Sequence, residues 1–133
     1  MSVETTKEVL TRYLNSGHSD QSMLAEDVSF TIMATGEEHR GREGVSAMLN
    51  YFYHTAFEAD AETRTLVFGE TSAIWEGVIV GKHIGEYASV PATGKNVRVP
   101  ICVVYDVEDK RVKRARVYFE VPAFYQQVGV KMG

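Results

Sequence analysis

Cysteine occurs once in this 133-residue chain, at Cys102, so no internal disulfide can form. That absence fits a reducing compartment, and the cytoplasm is the expected location. Long apolar runs are missing as well. The uninterrupted ones are far too short to span a bilayer, and residues 1–8 hold no apolar stretch that could act as a secretory signal. Positive charge is in short supply, with 14 lysines and arginines against 18 aspartates and glutamates and a net charge of −4. The basic residues are scattered apart from one small cluster at residues 110–116, which argues against a nucleic-acid surface. His18, His39, His54 and His83 share no H-x-x-x-H or H-E-x-x-H spacing, so no metal site is expected. The glycines form no phosphate loop and no G-x-G-x-x-G after a strand, so no nucleotide cofactor is expected either.

What the chain does contain is the 44% hydrophobic, 24% charged composition of a globular protein. It shows no repeat and no linker, so one domain over residues 1–133 is expected, long enough to bury a core. Val3, Leu10, Tyr13 and Leu14 fall on one helical stripe, with Ser2 as N-cap and Gly17 just past the end. A short second helix can begin at Ser19 or Asp20, carrying Met23 and Leu24 inward. Residues 28–34 then read as a strand and Gly36-Glu37-Glu38 as a turn. Over residues 42–54, Val45, Met48, Leu49 and Phe52 recur at i, i+3, i+4 and i+7, the pattern of a helix burying one face.

From residue 57 the period changes to that of strands. Residues 63–68, 72–87, 96–107 and 111–121 predict four strands, with turns at Gly69-Glu70, residues 91–94 and residues 108–110. The second of these, with Gly77, Gly81 and Gly85, predicts a bent strand, because glycine inside a strand marks a bulge or a bend. Pro122 suits the first position of a closing helical turn with Phe124, Tyr125 and Val128. Helices set to one side of an antiparallel sheet make an α+β fold, and a bent sheet around a helix leaves a cone where a ligand pocket is expected.

Three stretches carry a family likeness. They are His39-Arg40-Gly41-Arg42-Glu43-Gly44-Val45, the run from Gly81 through His83 and Glu86-Tyr87 to Pro91-Ala92-Thr93-Gly94-Lys95, and the ending from Tyr118 to Gly129. In these the chain resembles the SnoaL-like polyketide cyclases of the NTF2-like superfamily. The resemblance implies an NTF2-like cone of about six strands around three main helices, a deep pocket for a small apolar ligand, and a homodimer. It also implies an acid/base carboxylate at the end of the last strand, where the family has aspartate and this chain has Glu120.

Glu120 is therefore the candidate catalytic acid/base, and His83 the second catalytic candidate, as a group that polarises a carbonyl or orients Glu120. A competing reading places Glu120 at the start of a helical turn, where its charge meets the helix dipole, and makes His83 a half-buried structural residue. By period-2 alternation Arg114, Arg116, Tyr118 and Glu120 share one face of the last strand, and Ala115, Val117, Phe119 and Val121 the other. If Glu120 faces the pocket, Tyr118 and Arg116 join it as substrate-binding residues. Otherwise the arginines form a salt-bridged face in water. Trp75 and Phe52 are taken as substrate-binding aromatics, among a set that includes Phe57, Tyr53, Tyr87, Tyr105 and Phe124. Cys102 reads as an inert thiol. The leading expectation is a cofactor-independent cyclase or isomerase moving a proton on a small apolar carbonyl compound. The alternatives are a non-catalytic binder of a hydrophobic metabolite, a dimeric interaction module with a vestigial pocket, and an epoxide hydrolase half assembled from Arg116 and Glu120.

Overall fold

The computed structural model describes residues 2–130. Ser2 caps the first helix, α1 (Val3–Asn15), its hydroxyl accepting from the Thr5 amide at 3.2 Å. The buried stripe of α1 is Thr6, Val9, Leu10 and Tyr13, which shares Leu10 and Tyr13 with the expected one, whereas Val3 is 40% exposed and Leu14 half-buried. The expected second helix is a single 3-10 turn, Gln21–Met23, because Leu24 already opens strand β1 (Leu24–Ile32). The chain then turns back as β2 (Glu37–Arg40), where only a turn was expected. Helix α2 (Gly41–Asn50) runs on into a wider π-helical turn, Tyr51–Ala56, so that Phe52 is carried at its far end. Such turns concentrate at functional sites.

Strands β3 (Phe57–Phe68), β4 (Ser72–His83), β5 (Asn96–Glu108) and β6 (Arg111–Phe119) follow, and α3 (Val121–Val128) closes the fold. The six strands form one sheet in the order β2-β1-β6-β5-β4-β3. β1 pairs β6 in parallel, so the sheet is mixed, while every other pairing is antiparallel. Gly77 and Gly81 are required by the close approach of β3. A Cβ at Gly77 would lie 2.3 Å from the Glu62 carbonyl oxygen, and one at Gly81 would lie 2.2 Å from that of Glu58. Across from Gly77 the register of β3 slips between Thr63 and Thr65.

β4 ends at His83 rather than at Tyr87. Beyond it, the Ile84 and Gly85 amides both donate to the Ala56 carbonyl, which pulls the chain off the ladder. The loop that follows folds into a tight turn between Tyr87 and Val90, with Ala88 and Ser89 at φ values of 49° and 66°. Left-handed backbone at two adjacent non-glycine residues stores strain. Among the described residues no helix is long and apolar enough to cross a membrane.

Candidate functional site

One face of the sheet, together with α2 and the π-helical turn, encloses a cavity of about 640 Å³. Its sheet wall is built by alternation. Trp75 on β4, Ile101, Val103 and Tyr105 on β5, and Val117 and Phe119 on β6 all point inward. Phe30 and Ile32 extend that wall along β1, and Met48, Leu49 and Phe52 face it from the helix side. This explains why the helical stripe at Met48, Leu49 and Phe52 is only half-buried: it looks onto open space rather than onto packed side chains. An aromatic cluster seals one side. Phe52, Phe57, Tyr87, Phe119 and Phe124 meet at ring-centroid distances of 5.1 to 6.5 Å. The cluster leaves the cavity beside it open, which distinguishes it from a cone filled by its own side chains.

Polar groups enter this apolar space at two ends. At the buried end, Tyr105 is 2% exposed and Tyr53 lies beside it, with Tyr13 behind. Burial pushes the Tyr53 phenol up to about 12, helped by the charge of Asp60, and it raises Tyr13 and Tyr105 well above the ordinary phenol value. All three are therefore hydrogen-bond donors throughout the physiological range. The Tyr13 hydroxyl is fully buried and has no partner among the described residues. His18 completes this end, its ring 5.2 Å from that of Tyr13 and stacked 5.7 Å from that of Tyr53. Burial lowers its pKa, so its neutral form is favoured.

At the open end stand exposed Thr35, Glu37, Glu86 and Ser89, and half-buried His39. Glu37 and His39 alternate onto the same side of β2, which brings the Glu37 carboxylate 3.3 Å from His39 Nε2. The neighbouring loop is held by Tyr51, whose hydroxyl donates to the Glu86 carbonyl, and by Tyr125, which donates to the Ala88 carbonyl at 3.0 Å. Among the described residues no group of three or more histidine, cysteine or acidic side chains is placed to hold a metal ion.

Of the residues singled out in the sequence, Trp75 and Phe52 line this cavity. Trp75 Nε1 donates to Thr63 Oγ1 at 2.8 Å, which fixes the indole against the wall. The placement of Glu120, Tyr118 and Arg116 in the pocket is corrected. Alternation groups them as expected, but Val117 and Phe119 are the ones that point inward, so their neighbours in sequence point out. Arg116 Nη1 donates to Asp106 Oδ2 at 2.9 Å on the outer face, Arg114 lies 3.4 Å from the same oxygen, and Tyr118 is 42% exposed. Glu120 is exposed at the N-cap of α3, where its side chain makes no capping hydrogen bond.

His83 does not line the cavity either. It is fully buried, tilted against Phe57 and edge-on to Phe124, with Nδ1 2.9 Å from Thr93 Oγ1. Its Nε2 has no partner among the described residues, and burial lowers its pKa, offset in part by the Gly85 backbone. Glu37, His39 and His18 were not singled out as site residues in the sequence. A signal existed for the first two, since two polar side chains spaced i, i+2 beside a turn share one face of a short strand.

A family model described as SnoaL-like polyketide cyclase matches residues 5–128, and the chain belongs to that family. No curated protein matches it by sequence. A candidate SnoaL-like polyketide cyclase from Jannaschia sp. CCS1 superposes with a TM-score of 0.83 at 14% identity, covering 97% of this chain and 94% of that one. An NTF2-like protein from Burkholderia xenovorans LB400 gives 0.75 at 17% identity, covering 96% and 98%. A candidate ketosteroid isomerase from Kribbella flavida gives 0.66 at 19% identity, covering 88% and 78%. At these identities the likeness shows the fold, an NTF2-like α+β cone.

Proposed function

We propose, from the premise of membership in the SnoaL-like polyketide cyclase family, that this chain takes up a small apolar carbonyl compound and moves a proton on it without a cofactor. The supporting observation is a single cavity with apolar walls, phenols at its buried end and an imidazole–carboxylate pair at its open end. A ligand oxygen seated at the buried end would receive hydrogen bonds from Tyr53 and Tyr105. Both stay protonated, and donors of this kind stabilise negative charge as it builds on a carbonyl oxygen. At the other end Glu37 engages His39 Nε2, which leaves Nδ1 to accept a proton from a carbon conjugated with the carbonyl at the far end of the ligand. The carboxylate would then stabilise the imidazolium. Glu120 and His83 have no part in this scheme.

The test uses a panel of ketosteroids and aromatic polyketides. Trp75 is the sole tryptophan and lines the cavity, so its fluorescence reads occupancy directly. Deuterium exchange into the bound ketone reads proton transfer. His39→Ala should slow that exchange by about a hundredfold with binding retained. Equal exchange in wild type and variant would remove His39 from the mechanism, and no saturable quenching would remove the ligand site.

One observation favours the non-catalytic alternative. The Glu37 side chain is 62% exposed, so water screens its pair with His39. A pure binder would quench Trp75 saturably and exchange no deuterium. We further propose a cytoplasmic homodimer, in which exposed Val67, Ile74 and Tyr118 on the outer sheet face form the surface a second copy would cover. Sedimentation analysis decides that point.

A further inference from the structure

A second cavity, of about 560 Å³, lies between the end of α1 with its following loop, α2 with the π-helical turn, and β3. His18, Leu49 and Tyr53 line both cavities, so a single layer of side chains divides them. Their chemistry differs. The first is walled by aliphatic and aromatic groups, whereas Ser19, Gln21, Ser46, Asn50, His54 and Asp60 surround the second. Ser19 donates to the Ser16 carbonyl at 2.7 Å, but the side chains of the other five make no hydrogen bond among the described residues.

This donor set is selective. No lysine or arginine stands among the lining residues, so nothing there matches a phosphate, sulfate or carboxylate group. Two amides, two hydroxyls, an imidazole and one carboxylate offer donors and acceptors in near balance. That balance complements neighbouring hydroxyl groups, each of which donates and accepts at once. The faces of His18 and Tyr53, 22° from parallel, add a flat apolar edge where the cavities meet. His18 lines both cavities, and its ring makes no hydrogen bond among the described residues, so no polar contact holds it at the boundary.

We propose that the second cavity is a subsite for a neutral polyhydroxyl group, such as a sugar, carried by the apolar molecule held next door. The substrate class is thereby narrowed to an amphiphile with one flat apolar part and one hydroxyl-rich part. This rests on the reading of the first cavity as a ligand site.

The experiment uses three probes: naringenin as a flat apolar ketone, its 7-O-glucoside, and methyl β-glucoside as the sugar alone. Trp75 fluorescence reads the first cavity, and the side-chain amide NMR signals of Gln21 and Asn50 read the second. The glucoside should bind about tenfold more tightly than naringenin, the gain of one or two net hydrogen bonds. Asn50→Ala combined with Asp60→Asn, two exposed positions, should abolish that gain and leave naringenin binding unchanged. Methyl β-glucoside at about 0.5 M should shift the Gln21 and Asn50 signals without moving Trp75, since a tenfold gain corresponds to weak binding of the sugar alone. Equal or weaker binding of the glucoside, or amide signals that ignore methyl β-glucoside, would overturn the proposal. If neither naringenin compound quenches Trp75 while the sugar still shifts the amides, the subsite stands and the reading of the first cavity fails.

Discussion

The two faces of the sheet are cut from the same strands and share almost nothing chemically. On β5, Val97, Val99, Ile101, Val103 and Tyr105 turn inward and are buried, while Arg98, Pro100, Cys102, Val104 and Asp106 turn out. The outer face gathers its charges around one carboxylate. Asp106 gathers Ser72 at 3.0 Å, Arg116 at 2.9 Å and Arg114 at 3.4 Å, and so has little left to offer a ligand. The inner face has almost no charge and is left partly unfilled. Residue types that look catalytic therefore sit where there is no cavity. Apart from Tyr105 on β5, the cavity draws its polar groups from loops, the π-helical turn and a short edge strand, in keeping with scaffolds that supply walls while loops supply function.

Substitutions can break or sharpen this contrast. The largest effect belongs to the inner face. Phe119 is 5% exposed and touches Phe52, Phe57, Tyr87 and Phe124, so Phe119→Ala should cost about 3–5 kcal/mol in urea unfolding. Next comes acid. Burial holds the His83 pKa below its unfolded value of 6.5, so between those two values the unfolded chain binds more protons. Stability should therefore fall as pH drops below that value, by at most about 1.4 kcal/mol per pH unit from this residue, with His18 acting in the same direction. Urea midpoints measured from neutral pH down to about pH 5 should fall less steeply in His83→Phe.

On the outer face the effects shrink. Burial raises the Asp106 pKa, but its hydrogen bonds from Arg116 and Ser72 outweigh that and hold it below the ordinary value of 3.8. Its stabilisation is thus present above that pH and lost in stronger acid. Asp106→Asn should cost about 1 kcal/mol at neutral pH and remove that acid sensitivity in thermal melts. Smallest of all is Glu120→Gln, expected within about 0.5 kcal/mol of wild type and without effect on Trp75 quenching. A large loss of binding in Glu120→Gln would reverse the assignment of the two faces.

The fold was legible because local signals agreed. The Ser2 cap, the helical period at Val45 to Phe52 and the breaks at Gly69 and residues 108–110 each pointed the same way as the family likeness. β2 escaped because Gly36-Glu37-Glu38 read as a turn, and only pairing with β1 makes residues 37–40 a strand. The site was half legible. Alternation grouped Arg116, Tyr118 and Glu120 together, but period 2 cannot say which group faces inward, and a motif match carries position along the chain without orientation. Trp75 and Phe52 could be placed because large aromatics near a cone line it whichever way the charges turn.

The parallel pairing of β1 with β6 has a consequence for how the molecule is made. Phe30 and Ile32 of the cavity wall lie against Ala115 and Val117, from strands at opposite ends of the chain. During synthesis β1 and β2 leave the ribosome as a lone hairpin, which is marginal on its own in water. They must wait for nearly the whole chain before their partner arrives, and such distant pairings close slowly. Without β6, β1 has no pairing to the rest of the sheet, and the cavity lacks the wall made by Val117 and Phe119. A binding-competent cavity is therefore a sign that synthesis has passed β6.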